Sequence, residues 1–163
     1  MREEKPEPVI VGWREWVALP GLGVPAIKAK VDSGARSSSL HTLDMEVFQR
    51  DGADWVRFHV QPLRKYPHII LEREAPVVEY RNVRDSGGRT TRRPYIRTTL
   101  EMSGQRWEID LNLTERGDLL FPMLLGRVAL EDRCRIEPTG SYLLGRWGWK
   151  KYPDRKKNKD AAQ

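Results

Sequence analysis

Asp-Ser-Gly occurs twice in the chain, at residues 32–34 and 85–87. Two aspartates brought close together can share one proton, because like charges that near cannot both ionise. One then acts as base, its neighbour stays neutral, and the pair polarises a water against a peptide carbonyl. The two triplets sit in different settings. An apolar-alternating run, "AIKAKV", precedes Asp32, and Leu124-Leu125-Gly126 follows later in the chain. Asp85 instead follows "YRNVR" and enters "GGRTTRR", a polar tip between two alternating segments. The 53 positions from Asp32 to Asp85 are too few to hold a duplicated lobe. Asp85 reads as the first residue of a hairpin turn, with Gly87 and Gly88 supplying positive φ. If one chain brings one catalytic aspartate, the second comes from another copy, and two-fold symmetry can place Asp32 opposite itself. The plainer alternative at Asp32 is a strand that ends in a turn.

Other chemistries find less support. The histidines are His41, His59 and His68, there is no H-E-x-x-H, and Cys134 is the single cysteine. No metal-ligand spacing emerges, although a scattered zinc site using His41 and carboxylates is conceivable. A phosphate-cradling G-x-x-x-x-G-K-[ST] loop is absent, so neither metal nor cofactor is expected. Ser37 to Ser39 with His41 suggest a Ser-His-Asp set, but no glycine-flanked nucleophile elbow surrounds them. His41 reads as a packed or half-exposed strand residue.

The elements that must position Asp32 follow a period of two. "VIVGWREWVAL" reads as a strand, "LPGLGVP" as a turn and "AIKAKVD" as a second strand. "SLHTLDMEVFQR" and "WVRFHVQPL" make a hairpin about "DGAD". "PVVEYRNVR" and "RPYIRTTLEM" flank "DSGG", and "RWEIDLNL" follows "SGQ". In that last segment Ile109, Leu111 and Leu113 alternate with Glu108, Asp110 and Asn112. Only "GRVALEDRCR" looks helical, and "GSYLLGR" reads as a final strand. Short strands at such spacing predict an all-β sandwich or barrel.

The 163 residues suit one domain, and 39% of them are hydrophobic. We expect a loose arm over 1–9, a folded domain over 10–146 and a basic tail over 147–163. Of the net charge of +6, five units fall between Arg146 and Gln163, so the rest of the chain is nearly balanced. That tail reads either as solvated and mobile or as a contact for RNA, a ribosome or an acidic partner, with Trp147 and Trp149 beside it. One cysteine agrees with a reducing compartment. No apolar run reaches membrane-spanning length, and the N-terminus lacks a signal-peptide pattern, so a cytoplasmic location without membrane contact is expected.

The order "KVDSGA", hairpin with a "DSGG" tip, then "LLGR" and a short helix resembles the retropepsins, homodimeric aspartyl proteases. More closely, "GWREWVALPGLGVPAIKAKVDSGARSSSLH" and "FPMLLGR" look like a bacterial retropepsin-like family historically labelled an ATP-dependent zinc protease. Members of that family are associated with ATP-grasp ligases that add glutamates to ribosomal and other proteins. The resemblance spans residues 10 to 146. It implies a retropepsin-like acid protease barrel with one short helix after "LLGR", and an aspartic endopeptidase that works as a homodimer without cofactor. It further implies that Asp32 is the catalytic carboxylate, that Ser33 hydrogen-bonds across the dimer, and that Gly34 lets a backbone N–H approach the carboxylate. Ala35 would line the substrate channel, and Leu124, Leu125 and Gly126 would close the loop beneath the site. The hairpin bearing Gly87 and Gly88 would be a flap over the substrate.

The sequence departs from viral retropepsins at Arg36, where they carry an acidic residue that pairs with the arginine of "LLGR". Arg36 and Arg127 therefore lack that acid between them. Cations near an acidic pair favour its ionised form, which works against a shared proton at neutral pH. They also attract anionic substrates, so acidic peptides such as glutamate-extended tails are the expected class. The alternative pairs Arg36 with another acid such as Glu115 or Asp118. Beside the peptidase stand two other readings: a non-catalytic module that regulates a glutamate ligase, and an RNA- or ribosome-associated barrel that binds through its tail.

Overall fold

The computed structural model describes residues 6–115 and 120–156. Its first strands show how the N-terminal apolar run divides. β1 (Val9–Val11) pairs in parallel with β12 (Cys134–Ile136), and after Gly12 and Trp13 the chain turns into β2 (Arg14–Leu19). The expected single strand is thus two, because the Gly12 N–H is taken by the Glu15 carboxylate and the Trp13 N–H by the Gly140 carbonyl. Val9, which the sequence reading placed in the arm, belongs to β1; residues 1–5 lie outside the described residues.

A turn of 3-10 helix at Pro20–Leu22 leads into β3 (Val24–Val31). Alternation sends Ile27, Ala29 and Val31 into the core and leaves Lys28 and Lys30 on the other face. β4 (Ser38–Thr42) lies beside β10 (Gln105–Glu115) in parallel, and it is not part of the next hairpin as the sequence suggested. The true hairpin is β5 (Asp44–Arg50) with β6 (Ala53–Val60), extended by β7 (Leu71–Pro76) into a separate three-stranded sheet. β7 escaped the sequence reading because half of "LEREAP" is charged. It pairs through cross-strand charges, with Glu74 opposite Arg57 at 3.0 Å.

β8 (Glu79–Arg84) and β9 (Thr90–Met102) form the expected hairpin about Asp85 to Arg89. The Asp85 carboxylate accepts the Arg89 N–H at 3.0 Å, and Gly88 alone carries the positive φ, +83°. Gly87 does not, contrary to expectation, so only one of the two glycines is dictated by the turn.

The largest sheet runs β10-β4-β11-β3-β2-β9-β8, with β11 (Met123–Leu125) between β4 and β3, and β9 also pairs with β10. The sheet therefore comes round on itself. Its β2–β9 seam is a single residue pair, Ala18 with Glu101, so the barrel is not cleanly closed. The fold is all-β. Its one α-helix among the described residues is α1 (Arg127–Leu130), a single turn after Gly126.

The expected last strand over 140–146 does not form. Glu15, fully buried, accepts the Leu143 and Leu144 N–H groups at 3.0 Å each, so this backbone bonds to a side chain rather than to a ladder. The start of the basic tail takes up local structure, although Lys150 and Lys151 remain exposed. Residues Gly148–Lys151 and Pro153–Lys156 form 3-10 turns, and Tyr152 is buried with its hydroxyl donating to the Ala26 carbonyl at 2.5 Å. The rest of the tail lies outside the described residues.

Candidate active site

Asp32 stands at the end of β3, where the strand's ladder with β11 finishes. Its N–H donates to the Leu125 carbonyl at 2.8 Å, one step beyond the Leu125–Val31 register pair. The loop then folds back on the carboxylate. Gly34 N–H donates to Asp32 Oδ1 at 2.9 Å, and Ala35 N–H donates to the Asp32 carbonyl at 3.2 Å. The approach expected of Gly34 is thus present within one chain.

From below, α1 fastens the loop. Arg127 N–H donates to the Ala35 carbonyl at 2.7 Å and Val128 N–H to the Arg36 carbonyl at 3.1 Å. The Arg127 guanidinium donates to the Ser33 carbonyl at 3.1 Å. Gly126 N–H donates to the Ser38 hydroxyl at 3.0 Å. Leu124, Leu125 and Gly126 thus run under and beside the loop, with Leu125 fully buried.

Behind β4 lies a support that alternation concealed. Asn112, assigned to the polar face of its strand, is fully buried. Its Oδ1 accepts from the Ser39 hydroxyl at 2.9 Å and from Arg93 Nη1 at 3.0 Å, and its Nδ2 donates to the Ser38 carbonyl at 2.9 Å. Every polar atom of the amide has a partner, which is what makes its burial tolerable.

Asp32 opens into a cleft of 690 Å³ that also receives residues of the β8–β9 hairpin. Asp32, Gly34, Ala35, Arg36 and Leu124 all line it, as do Arg84, Asp85 and Ser86 from the hairpin. Five cations contribute to the lining (Lys30, Arg36, Arg81, Arg84, Arg93) against two carboxylates, so an anionic ligand is favoured there. Among the described residues no ion pair engages Asp32, Arg36, Lys30 or Arg84. Glu115 is occupied elsewhere, its Oε1 accepting the Met45 N–H at 2.9 Å, so it does not pair with Arg36. Asp118 lies outside the described residues.

Not every residue singled out in the sequence reaches the cleft. Ser33 is exposed with its carbonyl bound to Arg127, and Arg127 itself lies under the loop rather than in the lining. Gly87 and Gly88 are exposed at the hairpin tip and also lie outside it. Lys30 and Arg84 take their place, and the period of β3, which puts Lys30 on the same face as Asp32, was the signal for the first.

A family model described as retropepsin-like aspartic endopeptidase RimB matches residues 10–146. The chain belongs to the RimB-like family. It is 48% identical over 137 residues to a probable alpha-L-glutamate ligase of Parasynechococcus marenigrum, covering 84% of this chain and 29% of that protein. A protein of the same description from Shewanella pealeana is 43% identical over 139 residues, or 85% of this chain and 30% of the relative. The chain therefore spans less than a third of the length of these curated relatives. A crystal structure of a Legionella pneumophila protein of unknown function superposes with a TM-score of 0.69 at 27% identity, covering 85% of this chain and 99% of that one.

The RimB-like chain shows no group of three or more His, Cys, Asp or Glu placed to hold a metal among its described residues. No helix among them is long and apolar enough to cross a membrane.

Proposed function

We propose that the chain is an aspartic endopeptidase that acts as a homodimer on acidic peptides, including glutamate-extended protein tails. The observation that carries this reading is the placement of Asp32, partly exposed in a cation-lined cleft beneath a hairpin and held by its own loop without an ion pair. Membership in the RimB-like family supports it.

In this mechanism the two Asp32 carboxylates of a dimer share one proton and hold a water between them. The anionic member takes a proton from the water as its oxygen bonds to the peptide carbonyl carbon. The neutral member gives its proton to the carbonyl oxygen. Collapse of the resulting gem-diol breaks the C–N bond as a proton passes to the departing amine. Ser33 links the two loops, the β8–β9 hairpin covers the substrate with Gly87 and Gly88 at its tip, and Arg36 draws acidic side chains into place. Arg127 serves by fixing the Ser33 carbonyl. Residues 10–146 form the catalytic domain of a cytoplasmic protein in this account.

A second reading has its own support. The curated relatives are described as ligases and are more than three times longer than the matched segment, so a stretch like this chain is built into those polypeptides. A module that docks on a glutamate ligase and regulates it without cleavage fits that arrangement. Asp32→Asn separates the two, because it removes the base with little change in volume. Wild type and variant are incubated with glutamate-tailed peptides across acidic to neutral pH, and products are read by mass. The peptidase reading requires cleavage by wild type and a loss of about 10³-fold in the variant. Equal cleavage by both proteins overturns it.

A further inference from the structure

A second concavity, of 420 Å³, lies beside the Asp32 cleft. Lys28, Arg64, Lys65 and Arg146 line it, and no carboxylate does among the described residues. None of these four cations is held in an ion pair among those residues. Aromatic rings hold two of them instead. Lys28 Nζ stands 5.4 Å from the Trp16 ring centre and 5.5 Å from that of Tyr142, and the Arg146 guanidinium stands 4.6 Å from Tyr142. A ring's quadrupole positions a cation without cancelling its charge, so the concavity keeps a strong positive potential.

The two hollows adjoin at one residue. Leu120 lines both, with Pro122 in one and Phe121 in the other. They are also joined along β3, whose outward residues are Lys28 in the second hollow and Lys30 in the first, followed by Asp32. At the rise of an extended strand, the four steps from Lys28 to Asp32 span about 13 Å. A peptide lying extended in the cleft has the same rise.

We propose that this concavity is an anchoring subsite for carboxylates of an acidic peptide, about four residues from the bond held at Asp32. The distance rests on the endopeptidase reading, whereas the binding of an acidic chain does not. Nucleic acid fits less well, because sequence-tolerant binding of single strands needs open aromatic faces for stacking. Trp16 and Tyr142 are buried, and the Trp149 ring, though partly exposed, already has two cations against it, Lys150 at 5.4 Å and Arg155 at 4.8 Å.

The test uses the full chain carrying Asp32→Asn, so that nothing is cleaved, and measures binding of tri- and octaglutamate by calorimetry. The octamer is expected to bind about tenfold more tightly than the trimer. That advantage should collapse on adding R64E with K65E, both exposed positions, and on adding K28M separately. Unchanged melting of each variant shows that the fold is intact. Absence of a length advantage, or its survival in all these variants, overturns the subsite. Displacement of octaglutamate by a lower concentration of single-stranded RNA also overturns it, in favour of a nucleic-acid site. A length advantage lost in the variants, in a protein that cleaves no peptide, upholds the subsite while rejecting the peptidase.

Discussion

Gly126 packs so closely on the Ser37 carbonyl that a β-carbon at 126 would overlap it. The same residue donates its N–H to the Ser38 hydroxyl at 3.0 Å, so the start of α1 and the run into β4 share one rigid joint under Asp32. Gly126→Ala should therefore cost about 3 kcal/mol, since the obstacle is backbone on both sides. Thermal melting should show a drop of about 6–12 °C for a domain of this size. A change within about 1 °C would mean that the joint yields.

Glu15 is fully buried and serves as acceptor for three backbone N–H groups, those of Gly12, Leu143 and Leu144. Glu15→Gln keeps the shape but turns an NH2 group toward a donor. It should lower unfolding free energy by about 2–3 kcal/mol in a urea titration, and Glu15→Ala by more.

Tyr152 is the anchor of the C-terminal segment. Burial pushes its hydroxyl up to about 12, so it remains a donor to the Ala26 carbonyl at all ordinary pH values. Tyr152→Phe should cost about 1 kcal/mol and make the segment after Trp149 more sensitive to limited proteolysis.

Much of the fold was readable in period-two alternation, as Ile109, Leu111 and Leu113 show by their burial. The position of Asp32 at a strand end, the Asp85 turn and the brief helix after Gly126 were readable too. Alternation failed at Asn112 and Glu15, where a polar side chain is buried because its partners come from segments distant in sequence. It failed again at 140–146, since no local pattern tells that a strand-like run will bond to a carboxylate instead. Of the residues that line the cleft, types, spacing and resemblance had singled out Asp32, Gly34, Ala35 and Arg36. The cations of the hairpin and of β3 needed the third dimension, which brings Arg84 and Lys30 into one cleft.

His59 on β6 is held between strands, with Nδ1 2.6 Å from Asp44 Oδ1 and Nε2 3.2 Å from Glu72 Oε2. The Asp44 hydrogen bond raises its pKa above the ordinary 6.5, against some opposition from burial and with further help from Glu72. A raised folded-state value means that the imidazolium's stabilisation is complete below the unfolded value and disappears as pH rises through the folded one. His59→Gln should therefore lower Tm at about pH 5.5 and have little effect at about pH 9. An NMR titration of the His59 ring should give a midpoint above the ordinary value.

The central claim is that two copies of Asp32 act on one water. It is tested most directly by mixing wild type with the Asp32→Asn variant at constant total concentration, letting subunits exchange, and measuring cleavage of a glutamate-tailed peptide. If both carboxylates are needed, activity falls with the square of the wild-type fraction. Activity in direct proportion to that fraction would contradict the shared site and place the whole of the chemistry in a single chain.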